Sequence, residues 1–178
     1  MKIKLETERL IIREYTPDDF DNLYAILSDA ENMAHYPSPY DEAGTQRWLN
    51  WCLESQSTYG HALWALELRD TGEYIGDCGV TMQKIDGEVL PEIGYHLNKR
   101  FRSQGYAKEA AAAIRDWFFG AFDFDSVYSY MKYTNVASYS TAASIGMRKI
   151  KEYADPDDKI TYVYRITREE WKALKGIK

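Results

Sequence analysis

The chain has 178 residues, of which 45% are hydrophobic and 28% charged, with a formal net charge of −6. That length and balance fit one globular domain with a sizeable core and exclude a disordered chain. The acidic surplus argues against a nucleic acid as the main partner, because a phosphate backbone needs a basic face. Two cysteines, Cys52 and Cys78, occur outside any C-x-x-C or Cys/His cluster, so no structural metal is expected and both read as small buried residues of a reducing compartment. No apolar run reaches the ~20 residues of a membrane span, and the charged N-terminus does not read as a signal peptide, so the expected location is cytoplasmic.

In chain order, residues 8–14 (ERLIIRE) read as a first strand. Thr16-Pro17-Asp18-Asp19 then supplies an N-cap, a proline at the first helical position and an acid at the third. Phe20, Leu23, Tyr24 and Leu27 continue a helical stripe. Pro37 and Pro39 keep 35–40 out of a helix. A second helix covers about 41–57 and carries Trp48, Trp51 and Cys52. Three strands follow: 62–68, then 74–82, and 92–97 after the Asp86-Gly87 hairpin signal. They predict an antiparallel meander. A helix opens near Gly105 and runs through Ala110, Ala111, Ile114 and Phe118, where alanine allows close approach to a sheet. Residues 126–132 read as a strand, and 136–145 as a short helix stopped by Gly146. A closing strand pair, 147–153 and 159–168, is joined by the acidic loop Asp155-Pro156-Asp157-Asp158. No repeat or linker interrupts 1–178, which reads as a single domain. The fold class is α/β (α+β): a mixed sheet flanked by helices.

The chemistry centres on Arg102-Ser103-Gln104-Gly105-Tyr106-Ala107, between a strand and a helix. A helix start presents unpaired N–H groups and the positive end of its dipole, which together favour a phosphate. Arg102 and Lys108 add positive charge. The spacing is neither a P-loop nor a dinucleotide fingerprint.

The run from Glu92 to Ala110, with Arg102-Ser103-Gln104-Gly105-Tyr106-Ala107 inside it, resembles the acetyl-CoA-binding motif of GNAT-superfamily N-acetyltransferases, written [Q/R]-x-x-G-x-[G/A]. Asn135-Val136-Ala137-Ser138 with Ser144-Ile145-Gly146-Met147 is similar to the N-x-x-S and L-G-F element of the RimJ/RimL-like, ribosomal-protein N-acetyltransferase-like branch. Leu5 to Arg13 and Ile166 to Trp171 resemble that branch's two ends. The resemblance implies a mostly antiparallel central sheet with a splay between about 92–97 and 126–132, where the cofactor's pantetheine would enter. It implies that Ser103 to Ala107 hold the acetyl-CoA pyrophosphate, with Arg102 and Gln104 nearby. His96 and Leu97 would pair through their backbone with the pantetheine, and Asn135 and Ser138 would contact the cofactor's far side. The segment from Tyr36 to Tyr40 is expected to wall the acceptor site or to be a rigid connector.

A primary amine is an ammonium at neutral pH, with a lysine-like pKa of about 10, and must lose a proton before attacking a thioester. A carboxylate can take that proton. Strand alternation puts Glu92, Gly94 and His96 on one face, so Glu92 is the candidate base, its alternative being an exposed strand-end carboxylate. Strand N–H groups can hold the developing oxyanion. Many GNAT enzymes place a tyrosine acid seven residues after the asparagine, where this chain has Ala142. Ser138 is therefore the candidate partner of the leaving sulfur, as acid or as hydrogen-bonding group, and Tyr139 lies about 100° round the helix. The expected reaction is acetyl transfer from acetyl-CoA to an amine, either a protein N-terminus or a small molecule such as an antibiotic or polyamine, with no metal, nucleic acid or membrane. A non-catalytic acyl-CoA-binding module is the alternative. The sequence does not decide between monomer and homodimer.

Overall fold

The computed structural model of the protein describes residues 2–156 and 159–177. Its elements are β1 (Ile3–Glu6), β2 (Leu10–Arg13), α1 (Phe20–Leu27), α2 (Glu42–Tyr59), β3 (Leu63–Leu68), β4 (Tyr74–Ile85), β5 (Glu88–Leu97), α3 (Tyr106–Ala121), β6 (Ser126–Lys132), α4 (Val136–Ser144), β7 (Arg148–Ala154), β8 (Ile160–Thr167) and α5 (Arg168–Lys175). The strands form one sheet in the order β1-β2-β3-β4-β5-β6-β8-β7. Each junction is antiparallel except that between β5 and β6, which is parallel. This is the mixed α/β fold expected from the sequence. Among the described residues no helix is long and apolar enough to cross a membrane.

Helices cover both faces of the sheet, and β3 shows why. Its first four residues are all buried, with Leu63 and Ala65 in the cluster formed with α1 and α2. Trp64 and Leu66 point the other way, into the cluster built by Ile114 and Phe118 of α3. A strand covered on both faces reads as a continuous apolar run. The meander β3-β4-β5 is as predicted, and β4 turns into β5 through Asp86 and Gly87, both at positive φ (48° and 88°), as a two-residue hairpin of this twist requires.

Three features differ from the sequence reading. The first strand is shorter than 8–14, because Thr7 closes a turn onto Leu10: its N–H reaches the Leu10 carbonyl at 2.9 Å, and its Oγ1 accepts from the Leu10 N–H at 3.0 Å. A further strand, β1, precedes that turn. A further helix, α5, follows β8 and begins with a reciprocal cap: Thr167 Oγ1 accepts from the Glu170 N–H at 3.1 Å, and Glu170 Oε2 from the Thr167 N–H at 2.9 Å. Of the expected acidic loop, Asp157 and Asp158 lie outside the described residues.

The Thr16-Pro17-Asp18-Asp19 signal opens a single 3-10 turn, Pro17–Asp19, ahead of α1. Its acid does more than cap. Asp19 accepts the Thr16 N–H at 2.8 Å and two bonds from the buried Arg13 guanidinium, at 2.8 and 2.6 Å. Glu67 of β3 takes the Arg13 Nε at 2.8 Å. Burial acts against the Asp19 carboxylate, but the bonds from Arg13 and Thr16 outweigh it and hold the group below its ordinary pKa. The cluster ties α1 to the sheet. Asp19→Ala would leave the Arg13 charge without its bidentate partner in a buried place, and a loss of about 3–5 kcal/mol is expected. Urea denaturation checks it, and a loss below about 1 kcal/mol, the value of a surface pair, would overturn it.

Candidate active site

Strand β5 is the floor of the site. A methyl group placed on Gly94 would lie 3.0 Å from Glu92 Oε2, so Glu92 and Gly94 share a face. Tyr95 points to the other face, where its hydroxyl donates to the Ser138 carbonyl at 2.7 Å. β5 and β6 meet at one register pair, Glu92 with Tyr128. Among the described residues, the edge of β5 that faces β6 has no strand partner from Ile93 to Leu97. A cleft of about 1050 Å³ opens along this splay. Every residue predicted for the site lines it except Gln104. The Gln104 side chain is exposed and donates to the Arg100 carbonyl at 2.9 Å.

The outer end of the cleft is the turn into α3. Ser103 and Gly105 adopt positive φ (60° and 85°), and the first intrahelical bond runs from the Glu109 N–H to the Gly105 carbonyl at 3.0 Å. The N–H groups of Tyr106, Ala107 and Lys108 therefore stand outside the helical ladder at the positive end of the helix. Arg102 does not turn toward them. Its guanidinium donates to the Leu97 carbonyl at 3.3 Å and to the Asn32 carbonyl at 3.2 Å, tying the turn to the loop before α2. The turn is instead fixed from β2's approach. Arg9 donates to the Gln104 carbonyl at 2.9 Å and to Glu109 Oε2 at 2.6 Å, and Thr7 Oγ1 donates to Glu109 Oε1 at 2.6 Å. Burial raises the Glu109 carboxylate, but the bonds from Thr7 and Arg9 outweigh it and hold the group below its ordinary range. The sequence reading held Thr7 and Arg9 in its opening block and Glu109 in the 92–110 run, but gave none of the three a role.

At the centre, Glu92 is half-buried rather than an exposed strand-end group. Burial pushes its carboxyl up to about 8, with nearby His96 acting in the opposite sense. His96, expected to serve through its backbone, also has both ring nitrogens engaged: Nδ1 lies 2.7 Å from Asp77 Oδ1, and Nε2 2.5 Å from the Tyr36 hydroxyl. Tyr36, Tyr40, Trp48 and Trp51 make an aromatic wall over it, with Trp48 edge-on to the His96 ring at 5.4 Å. Tyr36 and Tyr40 of the 35–40 segment thus line the cleft, as does exposed His35. His61 lies outside it, buried, with Nδ1 2.9 Å from the Val80 carbonyl.

On the far side, Asn135 caps α4 by accepting the Ser138 N–H at 3.2 Å. Ser138 Oγ lies 3.3 Å from the Tyr95 hydroxyl. Ala142 is fully buried in the core, so a tyrosine at that position would have no space. Tyr139 stacks on Tyr164 outside the cleft. Tyr95 is the hydroxyl that sequence reasoning missed; its signal was an aromatic alternating with Glu92 on the same strand.

This cleft combines a helix start whose N–H groups are free of the helical ladder, an unpaired strand edge suited to an extended chain, and a half-buried carboxyl between them. A family model described as an acetyltransferase (GNAT) domain matches residues 9–148. The chain is 35% identical over 151 residues to the uncharacterized protein YkkB of Bacillus subtilis, covering 84% of this chain and 88% of that one. An acetyltransferase structure from Agrobacterium tumefaciens is similar at 30% identity and a TM-score of 0.77, covering 91% and 92% of the two chains. RimL, a ribosomal L7/L12 alpha-N-protein acetyltransferase in complex with coenzyme A, shares the fold with a TM-score of 0.78 over 93% of this chain and 98% of its own, at 14% identity.

Two properties of the site can be measured directly. Any side chain at Gly105 would be strained at φ 85°, and its Cβ would sit 3.3 Å from the Arg9 guanidinium. Gly105→Val is expected to abolish acetyl-CoA binding by calorimetry, and an unaltered affinity would rule out the turn into α3 as the place where the cofactor's phosphates sit. Glu92 concerns stability. Its raised carboxyl binds a proton more tightly folded than unfolded, so the associated stabilisation is full below the ordinary carboxylate pKa of about 4.3 and is lost as pH rises through about 8. Glu92→Gln should therefore melt higher than the unaltered protein by a margin that widens from pH 5 to pH 9. A margin independent of pH would contradict the shift.

Proposed function

The chain belongs to the GNAT acetyltransferase family, and from that premise we propose that it moves acetyl from acetyl-CoA to a primary amine by direct attack, with Glu92 as general base. Acetyl-CoA is the donor substrate of this family. The observation that carries the base assignment is the position of Glu92 at the last residue pair before the splay, in a cleft whose walls raise its affinity for a proton.

The residues divide the work by place. The N–H groups at the start of α3, with the Ser103 to Ala107 backbone, hold the pyrophosphate by charge and direction. The unpartnered edge of β5 at His96 and Leu97 takes the extended pantetheine as an added strand would be taken. A backbone N–H on that edge polarises the thioester carbonyl. Glu92 draws the proton from the attacking nitrogen, directly or through water. The Ser138 hydroxyl, beside that of Tyr95, donates to the leaving sulfur, whose thiol-like basicity asks for little help. Asn135 acts by fixing the first turn of α4.

The RimJ/RimL-like branch is supported by the Thr7-x-Arg9 clamp on the cofactor turn and by Ser138 following Asn135. A protein N-terminus heads the acceptors on that reading, followed by a small amine such as an antibiotic or polyamine. The single-domain organisation rests on one sheet running through both core clusters. A cytoplasmic setting is supported by two buried free thiols.

An acceptor screen by mass spectrometry with labelled acetyl-CoA tests the activity, since a binding module would release no free thiol with any amine. With an acceptor in hand, kcat of the unaltered protein is expected to rise with pH through an ionisation near 8, because the base acts only when unprotonated. Glu92→Gln should lower kcat about 10²-fold or more and remove that limb, while leaving acetyl-CoA affinity little changed. Unchanged turnover would exclude Glu92 as the base.

A further inference from the structure

A buried hydrogen-bonded chain runs from the cleft into the sheet and has no part in the scheme above. Tyr36 and His96 line the cleft. Behind them stands Asp77, fully buried, whose second oxygen lies 3.0 Å from the Tyr15 hydroxyl. Tyr15 in turn meets the Tyr74 hydroxyl at 2.8 Å. With Asp77 as a carboxylate and His96 as a neutral imidazole, each bond takes one direction. An ionised carboxylate only accepts, so His96 Nδ1–H and Tyr15 O–H both donate to Asp77, and Tyr74 donates to Tyr15. A neutral imidazole that carries its proton on Nδ1 has a lone pair on Nε2, so Tyr36 O–H donates there. The chain therefore converges on Asp77 from both sides. The Tyr36 oxygen keeps lone pairs for a donor in the cleft.

Acetylation has a use for such a group. An ammonium R–NH3⁺ that becomes an amide R–NH–CO–CH3 loses two protons. The N–C bond forms, the C–S bond breaks with its electrons on sulfur, the thiolate takes one proton, and one remains for solvent. Glu92 accounts for the proton lost as the nitrogen attacks. We propose that Tyr36, His96 and Asp77 form a second proton acceptor that strips the ammonium before attack: its proton passes to the Tyr36 oxygen as the Tyr36 hydroxyl proton passes to His96 Nε2, leaving an imidazolium held by Asp77. The proposal rests on the acetyl-transfer reading. Tyr36 is the group that meets the amine, and His96 and Asp77 act through it.

The surroundings of His96 suit the role. Burial opposes its cation, but Asp77 of β4 outweighs burial, Glu92 of its own strand adds to it, and Arg102 from the turn works against it. The net effect raises the imidazole above its ordinary pKa. α2 presents the edge of Trp48 to the ring. Tyr36 is pushed well up by burial, and further by Glu92 and Asp77. It therefore stays a hydroxyl and relays a proton without ionising at rest.

Two measurements on the full chain decide the matter. The chain has three histidines, so nitrogen-resolved NMR can follow His96 singly. The expected result is the Nδ1–H tautomer near neutral pH, with a pKa that drops in Asp77→Asn; an Nε2–H tautomer overturns the proposal. The second uses labelled acetyl-CoA with benzylamine, an ammonium at neutral pH, and 2,2,2-trifluoroethylamine, mostly uncharged there. In His96→Gln, the ratio of kcat/KM for benzylamine over trifluoroethylamine should fall about 10²-fold, the usual worth of one proton transfer. Tyr36→Phe, which keeps the ring and removes only the hydroxyl, should do the same if His96→Gln folds poorly. Glu92→Gln should slow both amines alike. Acetylation by the unaltered protein with a ratio unmoved in these variants defeats the relay alone. No acetylation of either probe or of any screened amine defeats the acetyl-transfer reading, and the relay with it.

Discussion

The structure turns on a defect in its own sheet. β5 and β6 are neighbours, yet they share one register pair, Glu92 with Tyr128. A parallel junction cut this short cannot hold two half-sheets together by backbone bonds. The apolar cluster does so instead. Ala110, Ala111 and Ile114 of α3 share it with Ile93 of β5, and Val127 and Met131 of β6 belong to the same cluster. Burial of that size, at about 25 cal/mol per Å² of apolar surface, is non-directional and tolerates a gap between strands. The gap leaves the β5 edge unpaired beside a helix start whose N–H groups are also unpaired. Two sets of free donors and acceptors then face one cleft. Binding competence comes from hydrogen-bonding capacity that the fold leaves unused.

What keeps that capacity aimed is a small number of charged contacts from the first strands. Arg9 and Thr7 grip Glu109 and the Gln104 carbonyl, so the opening segment and the turn into α3 are one unit. Arg13, four residues on, grips Asp19 and Glu67 and holds α1 against the same sheet. Exposed ion pairs contribute little each, but several bonds on one carboxylate restrict its geometry far more than a single pair does. This explains why blocks 100 residues apart in the sequence belong to one resemblance: Thr7-x-Arg9 and Gln104-Gly105-x-x-x-Glu109 are halves of one clamp.

The parts legible in the sequence were those set by local rules. Asp86-Gly87 demands positive φ, Asn135 caps a helix, and Ser126 to Lys132 alternates buried and partly buried residues along its whole length. β1 was missed although Lys2-Ile3-Lys4-Leu5-Glu6 alternates polar and apolar residues, because a run of four strand residues carries little signal by itself. α5 was missed although Thr167-x-x-Glu170 is a capping pair, because a strand pattern running to Arg168 overlaps it. The order β6-β8-β7 lies in long-range pairing, which no local pattern encodes. In the site, Glu92 and Ser138 were readable from motif and alternation, whereas Tyr95, Arg9 and the His96–Asp77 bond depend on which strands become neighbours. Asp77 did carry a signal. It is the one charged residue among Tyr74-Ile75-Gly76-Asp77-Cys78-Gly79-Val80, and a carboxylate buried in such a strand must have partners.

That carboxylate separates the two titrating groups of the cleft. Glu92 and His96 share a strand face, and burial disfavours the charged form of each. For an acid this raises the pKa, and for an imidazole alone it would lower it. His96 escapes the second outcome because Asp77, fixed by Tyr15, supplies the compensating charge. Both groups are thus brought toward neutrality, one from below by lost solvation and the other held up by a partner. Groups poised in this way exchange protons near working pH at little cost in free energy, the condition proton-transfer catalysis needs. The acid–base character of the cleft is therefore set as much by β4, whose Asp77 reaches the His96 ring from behind, as by β5, which carries the groups themselves.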